Sequence, residues 1–194
     1  MFKLDTNFAL WDRVFLVAPL VLIGTRDQQG EPNLPPKHMA GPVSWDNFFG
    51  FVCATSHSTW KNATRSGSFA VSYPRPDQVL QTALAASPCQ AENAKVDILN
   101  RLSLVAAPIH GDPLLADAQF HLECELQQQV EIGANILLIG KVVAAAAHPK
   151  ALRHSDADEH EQIHQCPLLA YLPPGRYAVV EESQAFPFPR NYQR

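Results

Sequence analysis

The stretch over residues 25–67 places the tightest constraint on how this 194-residue chain can fold. Residues 27–30 (DQQG) predict a hairpin turn, in which Gly30 is free to adopt a positive φ. Residues 31–40 contain three prolines, which cannot donate a hydrogen bond within a central sheet. This segment must therefore follow a sheet edge or leave the sheet. The apolar run over residues 48–54 (FFGFVCA) predicts a core strand after it.

A polar corner rich in hydroxyl groups follows this strand and leads into a predicted short helix over residues 60–65. Ser58 or Thr59 is a natural N-cap for the helix, and Gly67 would end it. Such a corner can hold an anion, because the unpaired N–H groups and the dipole of a helix N-terminus both favour negative charge. Lys61 adds a positive charge. Taken alone, these residues fit an anion site and a purely structural cap equally well.

The rest of the chain is dominated by short apolar or alternating runs, with the helices gathered between strands. The predicted strands are 17–25, 48–54, 69–73, 120–126, 136–143 and 168–172, and the predicted helices are 60–65, 77–86 and 91–102. Regular alternation of strand and helix, which a doubly wound sheet needs, is missing from this pattern. We therefore expect a mainly β fold, an antiparallel barrel with peripheral helices.

The composition of the chain indicates the number of domains and argues against several classes of function. A hydrophobic content of 46% suits one buried core, and no linker divides the chain, so we expect a single domain over residues 1–194 with a core over roughly residues 15–180. No apolar run reaches the roughly 20 residues of a membrane helix. A net charge of −4 gives no basic field for nucleic acid. The N-terminus lacks the pattern of a secretory signal, so we expect a cytoplasmic protein.

Two groups of side chains are of types that can bind a metal or take part in redox chemistry: the cysteines and a histidine-rich stretch. The four cysteines are far apart and form no CxxC pair, which predicts free, mostly buried thiols. Four histidines and a cysteine cluster in an acidic stretch over residues 148–166, in which His160 and His164 have helical spacing. A closed metal site needs three or four placed ligands and their supporting partners. We therefore expect no metal and interpret this stretch as a polar lid loop.

Several motifs occur along the chain in a fixed order. They are TRDQQGEPN (25–33), VS (43–44), TWKNATRSGSFAV (59–71), LECE (122–125), GANILLIGKVV (133–143) and PLLAY (167–171), with Tyr177 after them. In this order and spacing they resemble the flavin reductase-like family, whose members fold as a Greek-key, FMN-binding split barrel. The likeness extends over most of the chain.

The resemblance implies a homodimer that binds FMN without a covalent bond near the subunit interface. Residues 33–39 would run beside the isoalloxazine ring, and residues 55–62 would hold the ribityl chain and phosphate. The implied activity is hydride transfer from NAD(P)H to the flavin, which requires no side-chain acid or base, so no catalytic residue is expected. The reduced flavin would then serve an electron acceptor or a partner monooxygenase. The implied FMN-binding residues are Asn33, Pro36, Lys37, His38, Met39, Thr55, Ser56, His57, Ser58, Thr59, Lys61 and Asn62.

Three positions depart from the family pattern. Residues 37–39 (KHM) replace small hydroxyl residues beside the ring, and residues 47–48 (NF) replace paired prolines. A cation or hydrogen-bonding group near the ring favours the anionic reduced flavin, so Lys37 or His38 would tune its potential, although His38 also fits a structural role. Residues 133–135 (GAN) stand where NAD(P)H-using members often have Gly-Asp-His. That turn keeps open an alternative, a non-enzymatic split-barrel protein that holds FMN or haem for electron transfer or sensing.

Overall fold

A computed structural model describes residues 1–86, 98–99, 101–154 and 158–189. Regular structure in these residues begins at Ala18 and ends at Val180. The strands are β1 (Ala18–Pro19), β2 (Val21–Arg26), β3 (Pro32–Asn33), β4 (Pro36–Lys37), β5 (Ala40–Ser44), β6 (Phe48–Ala54), β7 (Ser68–Tyr73), β8 (Leu104–Ala106), β9 (Pro113–Leu115), β10 (Phe120–Ile132), β11 (Asn135–Ala147), β12 (Leu168–Leu172) and β13 (Arg176–Val180).

The helices are short and lie between strands. The α-helices are α1 (Ser58–Ser66), α2 (Val79–Leu84) and α3 (Glu159–Gln165), and 3-10 turns cover Pro76–Gln78 and Pro149–Ala151. The predicted helix over 77–86 therefore begins as a 3-10 turn, because Pro76 lies at its first position and the Gln78 side chain accepts from the Arg75 N–H. The predicted helix over 91–102 falls largely outside the described residues.

An antiparallel sheet closes into a barrel through one continuous segment. Its strands follow the order β3-β2-β7-β10-β11-β6-β5. Strand β4 pairs with β2 at one end of this order, and β5 pairs with β6 at the other. Because β4 and β5 follow each other in the chain, residues 36–44 join the two ends, and we call them the closing segment. The proline-rich segment thus lies on short edge strands as predicted, and the mainly β, antiparallel split-barrel fold is confirmed.

Strand β2 is buried on both faces, which explains its uninterrupted apolar sequence. Val21 and Ile23 contribute to the barrel interior with Phe51 and Phe69, whereas Leu22 points outward into a second cluster. That second cluster contains Leu22, Leu34, Ala85, Leu99, Leu102, Leu115 and Ala118. A second apolar layer therefore covers the outside of the barrel at this strand.

The β10–β11 hairpin is longer than the sequence predicts. Each strand has 13 residues, and the turn between them contains Gly133 with a φ of +56°. The second half of β10 is exposed, so its apolar alternation fades after Leu126 and leaves no sequence signal for the extension. Pairing with β11 continues to Ile132 nevertheless, and the backbone hydrogen bonds rather than burial hold this half.

The stretch predicted as a lid loop contains a helix. Helix α3 begins after Asp158, whose side chain accepts from the His160 N–H at 2.9 Å. Glu159 and Glu161 lie in the first turn, where negative charge is favourable. The acidic residues that suggested a solvated loop are thus helix-starting residues. Within the described residues, no helix is both long enough and apolar enough to span a membrane.

The described cysteines match the prediction of buried thiols. Cys53, Cys124 and Cys166 are free and buried, and Cys89 lies outside the described residues. Burial raises the pKa of Cys124 to about 12, with the Glu123 carboxylate adding to the rise. These thiols are therefore core side chains rather than nucleophiles.

Candidate functional site

Helix α1 begins at the polar corner, but its cap differs from the prediction. The N-cap is His57, with extended backbone (φ −74°, ψ 140°), and no side chain caps the helix. Neither Ser58 nor Thr59 is the cap, because both already belong to the helix. Gly67 ends the helix as predicted, with a φ of +74° and its N–H donating to the Ala63 carbonyl at 2.9 Å.

A buried network of polar side chains ties the start of α1 to the sheet. The Asn33 side-chain amide donates to the Thr25 and Thr59 hydroxyls, each at 3.2 Å. The Asn62 amide donates to the same Thr25 hydroxyl at 3.3 Å. All four residues are at most 6% exposed. Of the predicted site residues, Asn33, Thr59 and Asn62 therefore lie beneath the corner and support it.

The surface of the corner is formed by the remaining predicted residues. The first backbone hydrogen bond of α1 runs from the Lys61 N–H to the His57 carbonyl. The N–H groups that precede it have no acceptor within the helix and point outward from its N-terminus. The exposed predicted residues around them are Thr55, Ser56, His57, Ser58 and Lys61. This face combines backbone donors, hydroxyls and one ammonium group.

Lys37 connects the two halves of the predicted site. Its ammonium nitrogen lies 3.4 Å from Nδ1 of His57, although the two residues are 20 positions apart. An ammonium group has no acceptor, so this contact needs an unprotonated Nδ1. Burial lowers the pKa of His57, and the Lys37 charge lowers it further, which keeps the imidazole neutral. The segment at β4 and the corner at α1 therefore form one continuous surface.

His38 and Met39 continue this surface along the closing segment. The His38 ring lies 5.0 Å from the Tyr171 ring, centroid to centroid, at an angle of 40°. Burial lowers the pKa of His38, with a second contribution from Lys37. The Met39 side chain is 47% exposed, and its carbonyl accepts from the Val52 N–H at 2.9 Å. The backbone here is thus fixed by β6 while the Met39 side chain stays accessible.

A cavity of about 350 Å³ opens beside this segment, between β4, α2 and the β12–β13 hairpin. We call it the hairpin cavity. Its lining residues are Leu20, Pro36, Lys37, His38, Val79, Thr82, Ala83, Ala86, Tyr171, Gly175, Arg176 and Tyr177. Pro36, Lys37 and His38 therefore belong both to the predicted ring-binding segment and to the hairpin cavity.

The divergent turn at residues 133–135 lies next to the corner. Asn135 pairs with Ala54, the residue that immediately precedes Thr55. Gln129 on β10 also reaches α1, since its side-chain oxygen accepts from the Trp60 indole N–H at 2.9 Å and the Thr64 hydroxyl at 3.3 Å. Sequence reasoning missed Gln129, because the partner of a long-range pair leaves no local signal.

The histidine-rich stretch over residues 148–166 makes contacts with backbone groups. Among the described residues, no group of three or more His, Cys, Asp or Glu side chains is placed to hold a metal ion. His160 instead contacts the backbone of Ser183, with Nδ1 at 3.1 Å from its carbonyl oxygen. This histidine therefore joins α3 to the C-terminal segment.

Solved structures with the same fold cover nearly the whole chain. Flavoredoxin of Desulfovibrio vulgaris (Miyazaki F) has a TM-score of 0.78 at 20% identity, covering 98% of this chain and 100% of that one. The FMN-binding protein from Thermus thermophilus with bound 1-cyclohex-2-enone has a TM-score of 0.77 at 20% identity, with coverage of 95% and 98%. An NADH:FAD oxidoreductase of Streptomyces globisporus C-1027 has a TM-score of 0.67 at 19% identity, with coverage of 84% and 86%.

A sequence-based family model agrees with this likeness of fold. The model described as "Flavin reductase like domain" matches residues 13–173, which include the barrel, the corner at α1 and β12. The match contains every predicted site residue. This chain therefore belongs to the flavin reductase-like family.

Proposed function

We propose that the protein is an FMN-dependent flavin reductase that transfers hydride from NADH or NADPH to the flavin. The observation that carries the proposal is the contact between Lys37 and His57, which joins the segment over 33–39 to the corner over 55–62. An elongated cofactor with a ring at one end and a phosphate at the other fits such a surface. Membership of the flavin reductase-like family supports a flavin as that cofactor.

The corner suits the phosphate end of FMN. Backbone N–H groups at the start of α1, the Ser58 hydroxyl and the Lys61 ammonium are all donors, and a phosphate accepts from all three kinds. Thr59 and Asn62 would support the corner from beneath, because their side chains form hydrogen bonds with Asn33 and Thr25. They hold the helix start in place against the sheet.

The closing segment suits the ring end. When bound, FMN would supply a hydride-accepting ring, which no side chain of this chain can replace. Lys37 places a positive charge at this end, and His38, whose pKa is lowered, is a neutral hydrogen-bonding group there at pH 7. The protein would thus orient the ring and favour negative charge on it. The name of the Thermus protein mentions FMN, and that of the Streptomyces protein mentions NADH and FAD, which supports a flavin and a nicotinamide as the two reactants.

A homodimer is part of the same proposal. The outer half of β10 carries Val130 and Ile132, which are 43% and 50% exposed, and β5 carries Val43 at 47%. Residues i and i+2 of a strand share a face, so Val130 and Ile132 form one apolar strip. A second copy of the chain would cover this strip next to the proposed FMN site.

Anaerobic reduction tests the activity. The protein loaded with FMN is expected to be yellow, and its flavin absorbance is expected to bleach when NADH or NADPH is added without oxygen. Failure to take up FMN in a titration would contradict the proposal at its first step.

An electron carrier is the second candidate, and the turn at residues 133–135 favours it. This turn lies beside the corner and has Ala134 and Asn135 instead of an acidic residue and a histidine. Yellow protein that keeps its colour under both nicotinamides, yet bleaches with dithionite, would support the carrier over the reductase.

A further inference from the structure

The hairpin cavity has a recognition chemistry that the flavin site does not use. Its floor is apolar and consists of Leu20, Val79 and Ala83. Thr82 also lines it, but the Thr82 hydroxyl is committed to the Gln78 carbonyl at 2.9 Å. A ligand in this cavity would therefore meet an apolar base from α2 and from Leu20, which immediately precedes β2, and its polar contacts would come from the hairpin and from Lys37 and His38.

Two tyrosines form the aromatic wall. Tyr171 on β12 pairs directly with Tyr177 on β13, and directly opposed residues of an antiparallel pair project to the same face. The Tyr171 hydroxyl accepts from the Gly175 N–H at 2.9 Å, which fixes it while leaving its own hydrogen as a donor. With His38 packed against Tyr171, the cavity presents flat rings on one side. Such walls favour a planar ligand.

Arg176 provides the charge on the hairpin side, whereas Lys37, the other cation of the lining, lies 3.4 Å from Nδ1 of His57 on the side of the corner. Arg176 lines the cavity at the start of β13 and is exposed, and no hydrogen bond or ion pair joins its guanidinium to another residue that the structure describes. None of the described lining residues is acidic. A guanidinium group presents paired donors that match a carboxylate in a bidentate arrangement. The charge and shape of the cavity are therefore complementary to a planar molecule with one carboxylate.

We propose that the hairpin cavity binds a small aromatic carboxylate, with its carboxylate on Arg176 and its ring against Tyr171 and Tyr177. A volume of about 350 Å³ lies at the low end for ligand pockets and suits a compound of one or two rings. The position of this ligand beside the flavin rests on the proposed function. Pro36, Lys37 and His38 line the hairpin cavity and also belong to the segment proposed to run beside the flavin ring. The cavity would then be a subsite for a second substrate or an effector of the reductase.

Benzoate is the probe, and benzamide is its uncharged counterpart of similar shape. Titration calorimetry on the full chain without FMN is expected to show benzoate binding, with benzamide at least about tenfold weaker, since a hydrogen bond to a charged group is lost. Arg176→Gln is expected to weaken benzoate about tenfold or more and to leave benzamide unchanged. Arg101→Gln, at an exposed arginine outside the cavity, is the matched control and is expected to change neither.

A second variant tests the aromatic wall. Tyr177→Leu is expected to weaken benzoate and benzamide alike, because it removes a ring that both would contact. In protein loaded with FMN, benzoate is expected to shift the flavin absorption bands, and Arg176→Gln is expected to raise the benzoate concentration needed for that shift.

The outcomes separate this proposal from the proposed function. Equal affinity for benzoate and benzamide, or unchanged benzoate binding by Arg176→Gln, would overturn the carboxylate site. FMN uptake with nicotinamide-dependent bleaching but no benzoate binding would overturn the site alone. Benzoate binding that depends on Arg176, in a protein that takes up no FMN, would overturn the flavin reductase proposal and uphold the cavity as a carboxylate site.

Discussion

Thr25 is the residue on which the candidate site depends most, although it lies below the surface. It is fully buried, and its hydroxyl oxygen accepts from the amides of both Asn33 and Asn62. These two bonds join β2, β3 and α1 at one atom. A buried amide without its acceptor costs roughly 1–3 kcal/mol. The position of the helix start is therefore set by a hydrogen-bond network rather than by a helix cap.

Thr25→Val tests this role, because valine has nearly the same shape as threonine but lacks the hydroxyl group. The variant leaves the two amides without this acceptor, so we expect the free energy of unfolding to fall by about 1–3 kcal/mol in urea denaturation. Thr6→Val, at an exposed threonine, is the control and should change stability by less than about 0.5 kcal/mol. Equal stability of the Thr25 variant and the unmodified protein would mean that the network contributes nothing.

Lys37 couples two imidazoles, and this coupling can be measured. Burial is the larger cause of the lowered pKa of His38 and of His57, and the Lys37 charge is the second cause for both. Lys37→Met removes only the second cause. We therefore expect NMR titration to show both pKa values rising in the variant while remaining below that of an unfolded histidine. A rise in only one of them would contradict the shared coupling.

The lowered pKa values of His38 and His57 determine in which direction pH changes the stability of the protein. A histidine whose pKa is lowered by folding binds its proton more readily in the unfolded state. Its contribution to stability is complete above the unfolded pKa and is lost as the pH falls through the lowered folded pKa. Acidification below the ordinary histidine range should therefore destabilise the protein, and less so in Lys37→Met.

At the scale of the element, the local sequence predicted where the strands and helices lie better than it predicted which of them contact one another. Strand β6 was predicted with its observed bounds, and the αL ending of α1 at Gly67 follows from glycine chemistry. The contact of Lys37 with His57 and the pairing of Asn135 with Ala54 bring distant segments together through sheet register. Register depends on which strands pair, and a single sequence does not encode that in any local pattern.

The misplaced cap of α1 has a similar cause. Threonine is a good N-cap by intrinsic preference, but Thr59 is 2% exposed and its hydroxyl is engaged with Asn33. A tertiary contact thus outweighed the local preference and left backbone N–H groups at the helix start without a side-chain cap. Those groups are the donors that the proposed phosphate would occupy.

Lys61→Ala tests α1 as the phosphate-binding element. Lys61 is exposed in the first turn of the helix, so the variant should fold normally. We expect FMN to bind more weakly by about 1–3 kcal/mol, because a charged hydrogen bond to the phosphate would be lost. Fluorescence titration with FMN gives the affinity, and Lys150→Ala, at another exposed lysine, is the control. The same affinity in both variants would place the phosphate away from α1.

At the scale of the whole molecule, the feature that bears on assembly is the β10–β11 hairpin, which reaches beyond the buried core of the barrel. The 13-residue strands β10 and β11 extend past the buried core, and the outer half of β10 exposes the strip formed by Val130 and Ile132. An exposed apolar strip on paired strands is a typical protein interface. Because the strip is carried by the same hairpin whose turn lies beside the corner, a partner subunit there would also border the cofactor.

Ile132→Glu tests this assembly. A carboxylate buried in an apolar interface loses its hydration without a partner charge, so we expect the dimer to dissociate. Light scattering after gel filtration should then give the mass of one 21.4 kDa chain, and the unmodified protein is expected to give twice that mass. Val105→Glu, at a similarly exposed valine on β8, should stay dimeric. If FMN affinity falls only when the dimer dissociates, the partner subunit contributes to the cofactor site; a monomer that binds FMN with full affinity would confine that site to a single chain.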